Sequence, residues 1–318
     1  MTLYLICGTI LLITTLISSV SWRVWWVKGF NAASWHIFVG MAILLAVGFC
    51  FSAPPSPGIL AMQAALIIAI IYQFLKILPF TFLHKTELKE ANDQNIKSIR
   101  CMAANVRMSN SNYAGILSLI KKYKPNIILL TETNGEWLNA IEPLQAIYPY
   151  NLLQPQENTY GMALYSQYPF LHAETNFLVD KKVPSFHVQI ISPNEKIIQF
   201  IGLHPRPPAP WTNAENKDLE LIKAAIMTNW NSLPSIVSGD LNDVGWSRAT
   251  REFKQISGLL DPRIGRGFFN TYNALIPLFR MPIDHFFVSH HFKLVKMKRL
   301  EKFGSDHFPV LVEVTLDE

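Results

Sequence analysis

The chain has 318 residues, room for more than one folding unit. Half of it is hydrophobic and only 16% is charged, a low polar content for a soluble protein. Of the formal net charge of +5, residues 1–90 carry five basic and two acidic side chains, which leaves 23 basic and 21 acidic groups for the remainder. A C-terminal part this close to neutral lacks the basic excess of a domain that holds duplex nucleic acid mainly by its phosphates. Cys7, Cys50 and Cys101 show no zinc-site spacing, and a lone Cys101 in the polar part excludes a disulfide within it.

Three apolar runs come first, at about 3–20, 35–53 and 58–83. The first two are free of charge, and the third is interrupted only by Gln63, Gln73 and Lys76. About twenty helical residues span a bilayer core, so a membrane domain of three transmembrane helices is expected over residues 1–83. The first run lacks the basic start and Ala-x-Ala site of a cleaved signal peptide, which favours a retained helix. Trp22, Trp25 and Trp26, with Arg23 and Lys28, read as an interfacial loop, and PPSP at 54–57 as an uncharged turn. Counting basic residues favours a cytoplasmic C-terminal domain on only four charges, Arg23, Lys28, Lys85 and Lys89.

Residues 84–95, polar and aperiodic, read as a linker, and residues 96–318 as one α/β domain. Its expected strands are 97–105, 126–132, 161–166, 186–191, 196–204, 235–240, 283–289 and 308–314. Expected helices are 113–123, 213–229 and 247–256, the second opening on a capping box at Thr212-Asn213-Ala214-Glu215. The basic run KLVKMKRLEK at 293–302 reads as a solvated hairpin face.

What ends these strands is chemically unusual. IRCMAAN ends at Asn105, PNIILLTE at Glu132, KIIQFIGLH at His204 and PSIVSGD at Asp240, with Asn242 two residues on. MPID supplies Asp284, and SDH places Asp306 and His307 before the last strand. Each alone has an ordinary reading as turn or capping chemistry. Six strand ends bearing Asn, Asp, Glu or His together point to a site built on one scaffold edge.

In this order, AANV, LLTET, GMALYS, GLHPRPP, SGDLN, MPID and SDHFPV resemble the endonuclease/exonuclease/phosphatase superfamily over about residues 97–316. The closest likeness is to a bacterial group with three N-terminal transmembrane helices, in which the domain usually lies outside the cytoplasm; against the charge count, this leaves the side open. The resemblance implies a DNase I-like α/β fold, a four-layer, two-sheet sandwich flanked by helices, and hydrolysis of phosphoesters with Mg²⁺, for which Mn²⁺ can substitute. Carboxylate and amide oxygens suit such a hard cation. The resemblance makes Glu132 the main metal ligand, with Asn105 and Asp306 contributing to the metal or phosphate site. Asp240 would activate water, Asn242 would hold the phosphate or that Asp, and His307, oriented by Asp284, would donate to a phosphate oxygen. His204 would serve the leaving group. Arg206 and Trp246 are weaker candidates for substrate binding, by pairing with phosphate and by stacking.

Substrate marks are missing: TNGEW lacks the lysine that follows the metal glutamate in apurinic endonucleases, and Gln167 stands where many relatives carry Arg or Lys. The resulting expectation is a cell-membrane phosphodiesterase. Its partners would be the bilayer and a phosphoester, whether a phospholipid headgroup, a small molecule or nucleic acid. A metal-dependent nuclease and a non-catalytic binding module are the alternatives, and the intact polar set opposes the second.

Overall fold

The structure, a computed structural model, describes all residues except Ser21, 52–55, 92–96, 211–213, 230–231 and Glu318. Pro54 and Pro55 of the expected turn, 92–95 of the expected linker, and Thr212 and Asn213 of the expected capping box lie outside the described residues. The apolar runs fold as α1 (Thr2–Ser19), α3 (Ser34–Phe51) and α4 (Pro57–Ile77). Pro57 opens α4, where its missing N–H would have had no partner anyway. The Trp-rich stretch is itself a helix, α2 (Trp25–Ala32), rather than a loop. Among the described residues, Thr2–Ser19 and Pro57–Phe80 are long and apolar enough to cross a membrane, and a third span arises only if α2 and α3, bent by 57°, count as one.

The described part of the expected linker is fastened to the domain that follows. Leu88 is buried in its core, Lys254 pairs with Glu87 at 2.6 Å, and the Ala91 N–H donates to Leu294 O at 2.9 Å.

Among the described residues eleven strands follow: β1 (Ile99–Asn105), β2 (Ile127–Thr131), β3 (Tyr150–Gln154), β4 (Met162–Ser166), β5 (Phe170–Asn176), β6 (Ser185–Ile191), β7 (Ile197–Leu203), β8 (Ser235–Asp240), β9 (Asp284–Val288), β10 (Phe292–Arg299) and β11 (Val310–Leu316). One sheet runs β10-β11-β1-β2-β4-β3 and the other β5-β6-β7-β8-β9. Their inner faces meet through Ala103, Leu129, Leu164, Phe186, Phe200, Ile236 and Phe286. The outer face of the first sheet is covered by α5 (Tyr113–Tyr123) and α6 (Gly135–Ala140). The second is covered by α7 (Ala214–Asn229) and α8 (Arg248–Ser257). These four layers are the expected sandwich. Central strands such as IILLT are unbroken apolar runs because both their faces are covered.

Three strands have no counterpart in the sequence reading: β3, β5 and β10. All are sheet edges, and β5 and β10 alternate or expose much of their length. A half-solvated edge carries no continuous apolar signal. The basic run at 293–302 is thus mostly an edge strand.

Two parallel pairings position the site. β1 pairs with β2, with Asn105 opposite Thr131, and β7 pairs with β8, with Leu203 opposite Gly239. The carboxyl ends of these strands therefore deliver Asn105, Glu132, His204 and Asp240 to one edge. β9 runs antiparallel to β8 and starts there, with Asp284 opposite Asp240.

Candidate active site

The sandwich brings the expected polar residues together. The Asn105 amide spans the two sheets, with Nδ2 donating to Glu132 Oε1 at 2.8 Å and to Asp240 Oδ2 at 3.0 Å. Its Oδ1 accepts the Arg107 N–H at 2.9 Å, so the amide ties two carboxylates together rather than turning its oxygen to the site. Glu132 Oε2 accepts the Met108 N–H at 3.2 Å. Asn242 donates its N–H to Asp240 Oδ1 at 2.9 Å and anchors its own side chain on Pro205 O at 3.1 Å. Glu132 and Asn242 both hold positive φ (63° and 50°), a backbone state that ordinary residues rarely adopt and that gathers at functional sites.

His307 Nδ1 and Asp284 Oδ2 share a 2.8 Å hydrogen bond. That pair turns His307 Nε2 towards Asp240 Oδ2, 3.7 Å away, and His204 Nε2 approaches the same oxygen to 3.9 Å. Asp240, His204, Asp284 and His307 are all at least nine-tenths buried. Ser305 fastens the SDH turn, donating to Asn105 O at 2.8 Å and accepting the His307 N–H at 3.0 Å.

Burial and the Asp284 carboxylate push Asp240 upward in pKa, opposed by the two histidines. Burial by itself would lower His307, but the carboxylates of Asp284 and Asp240 outweigh it and push the imidazole up to about 10. His204 is driven down by burial, only partly offset by Asp240. The two imidazoles that flank Asp240 are therefore shifted in opposite directions.

The donor set fits a hard divalent cation. Glu132, Asp240, Asp284 and Asp306 share the edge, and the Arg107 guanidinium lies 3.9 Å from Asp306. Asp240, Asp284 and His307 offer ligand atoms within 4.8 Å of one another, which could also hold a metal. The short Asp284–His307 hydrogen bond marks those two as an imidazole–carboxylate pair, which leaves Glu132 and Asp306 as the carboxylates that no histidine pairs with among the described residues.

Of the weaker candidates, Arg206 lies beside the site. It pairs with Asp180 at 2.8 Å and covers the Tyr160 ring, itself 5.7 Å from His204. Trp246 does not face the site. It is 2% exposed, packs on Phe80 and Phe268 and donates to Asn31 O at 2.9 Å, so no substrate can stack on it. Asp243, three residues past Asp240, is buried and pairs with Lys217. Two neighbours escape the sequence reading: Tyr272, whose ring lies 5.0 Å from His307, and Arg107. Tyr272 lies in an irregular loop without a motif, whereas Arg107 follows Asn105 by two residues and could have been found there.

The family described as Endonuclease/Exonuclease/phosphatase matches residues 102–307. No curated protein matches the chain. Among solved structures, an endonuclease/exonuclease/phosphatase family protein from Bacteroides thetaiotaomicron is similar at 18% identity and TM-score 0.58, over 70% of this chain and 99% of that one. The human Nocturnin catalytic domain with bound sulfate is similar at 16% and 0.56, over 75% and 99%. D. rerio TDP2 complexed with single-strand DNA product is similar at 12% and 0.57, over 69% and 99%. These likenesses speak for the two-sheet sandwich. The family match runs from β1 to His307 and so takes in every strand end that builds the polar edge: the chain belongs to the endonuclease/exonuclease/phosphatase family, divalent-metal-dependent enzymes that hydrolyse phosphoester bonds.

Proposed function

We propose that the protein is a membrane-anchored phosphodiesterase that uses Mg²⁺, with residues 1–83 as anchor and 96–318 as catalytic domain. The observation that carries the reading is the buried Asp240 carboxylate, tied to Asn105 and Asn242 and faced by the His307 and His204 rings at 3.7 and 3.9 Å. Bound at Glu132 and Asp306, the cation would neutralise phosphate charge and favour attack by water. Asp240 orients the attacking water and takes its proton, and the Asn242 N–H fixes which carboxylate oxygen is presented. His307 keeps a proton on Nε2 because Asp284 holds Nδ1, and it donates to the non-bridging oxygen where charge builds up. His204, whose Nε2 approaches the same Asp240 oxygen to 3.9 Å, steadies the leaving oxygen. Arg206 sits where it can reach an anionic group beyond Tyr160.

Membrane anchoring is supported by large apolar side chains left bare on the helices: Leu3, Ile10 and Leu16 on α1, Ile43 and Val47 on α3, and Leu60, Ile68 and Leu75 on α4. In water such a surface would drive aggregation; in lipid it is at home.

The test is turnover by the full chain of bis-p-nitrophenyl phosphate, sphingomyelin, inositol phosphates, RNA, and single- and double-stranded DNA, each with Mg²⁺, Mn²⁺ or EDTA. Asp240→Ala and His307→Ala should each lower kcat by about 10²–10⁴. Turnover that survives EDTA and both substitutions would sink the mechanism. Cleavage of DNA or RNA in preference to lipid and small diesters would move the substrate to nucleic acid.

A further inference from the structure

Two depressions meet where the apolar helices reach the catalytic domain. One is an apolar groove of about 420 Å³ between α1 and α4, floored by Ala65 and Ala69 and walled by Leu12, Leu16 and Ile68. The other is a cleft of about 350 Å³ at the domain end of the same helices. Ser19 and Tyr72 line both, so groove and cleft adjoin.

Their chemistry changes abruptly along that path. The cleft is lined by Lys76 from the last turn of α4 and by Arg248 and Arg251 from the first turn of α8, and no carboxylate lines it. Arg248 is neutralised by Glu252 at 2.6 Å, whereas Arg251 is exposed and makes no ion pair among the described residues. Lys76 donates to Ser18 O at 3.1 Å and makes no close ion pair among them, the Asp243 carboxylate acting on it only from further off. Two cations without a close ion pair among the described residues thus stand at the head of the apolar groove, at the boundary that Tyr72 lines one helical turn before Lys76 on α4. An apolar body with a polar tip suits that boundary.

We propose that α1, α4 and the start of α8 form a binding site for one phospholipid with an anionic headgroup. An acyl chain lies in the groove, and the phosphate sits between Lys76 and Arg251. Water-soluble phosphate would satisfy the cations but leave the groove empty, so the adjoining of the two depressions commits the site to a lipid. The site is separate from the catalytic edge, whose residues do not line it, and it rests on the reading of the helices as membrane-embedded.

The experiment is native mass spectrometry of the full chain from detergent micelles, titrated with phosphatidylglycerol or phosphatidylcholine, with glycerol 1-phosphate as competitor. Each cation near an anionic headgroup contributes modestly, and together the two should give a preference of about tenfold for phosphatidylglycerol. Lys76→Gln with Arg251→Gln should bring that preference close to one, and Ala65→Trp should abolish retention of both lipids. If Ala65→Trp fails to fold, Arg251→Gln alone, at an exposed position, still has to weaken the preference. Equal binding of the two lipids by the wild type, an unchanged preference in the double variant, or displacement by glycerol 1-phosphate would overturn the proposal. Alkaline carbonate extraction separates the two readings. Release from the membrane removes the anchor and this site together, whereas retention with no lipid preference removes the site alone.

Discussion

At the scale of single residues, the catalytic edge depends on groups whose protonation is set by their neighbours. Asp284 is the cleanest case, because its carboxylate meets His307 Nδ1 at 2.8 Å and little else competes for it. Asp284→Asn keeps the shape and removes the charge that favours the imidazolium, and the amide can present N–H to Nδ1 and reverse the tautomer. Its kcat on bis-p-nitrophenyl phosphate should fall by about 10²–10⁴ with KM little changed. An equal loss in KM would mean that Asp284 serves binding instead. Glu220, on α7, makes a pH prediction away from the catalytic groups. Burial, reinforced by the Asp180 charge, pushes its carboxyl up to about 8 from 4.5, and its Oε1 is buried without a partner among the described residues. Above the unfolded value the unfolded chain releases this proton while the native chain keeps it, so native stability drops as pH rises from about 4.5 to 8. Glu220→Gln, which cannot ionise, should flatten that slope and raise the Tm at pH 8 more than at pH 5. Equal shifts at both values would remove the protonation argument.

At the scale of elements, PSIVSGDLND shows how much a strand end can carry and how much of it was readable. An apolar run breaking into Gly239, Asp240 and Asn242 announced a strand delivering polar groups, and β8 ends on Asp240 as the residue types indicate. Gly239, by contrast, is required by the sheet and not by a turn. Its φ is +144°, and a Cβ there would stand 1.9 Å from Leu203 O on the parallel neighbour β7. Gly239→Ala should therefore part β7 from β8 just where His204 and Asp240 leave them. Loss of folded protein, or a Tm drop with kcat falling further than Asp284→Asn brings, is the expected result; near-wild-type Tm and kcat would show that the strands adjust. The same logic explains what stayed hidden. Central strands announce themselves by composition, whereas β3, β5 and β10 at the sheet edges owe their place to pairing with a neighbour. The local sequence does not record that pairing.

At the scale of the molecule, the N-terminal helices are joined to the catalytic machinery by more than the covalent chain. Trp246 donates to Asn31 O, a partner 215 residues away, and no periodicity or motif could have exposed that contact. Lys28 meets Asp218 at 2.5 Å, and the Gly265 N–H donates to Pro79 O at 2.8 Å. Phe80, just beyond α4, packs against Trp246 and stands so close to Gly245 that a Cβ there would meet its ring at 2.4 Å. The loop that carries Asp240 and Asn242 is therefore backed from beneath by the end of the helical region. Phe80→Ala would empty that space beneath the loop. Truncating a buried Phe costs about 3–5 kcal/mol, which for a chain of this size lowers the Tm by on the order of 10 °C. If the backing also holds the loop in its working shape, kcat measured well below the new Tm should fall several-fold with His307 and Asp284 untouched. A variant that loses Tm but keeps full kcat would show that the helices contribute cohesion alone and that the loop holds its form unaided.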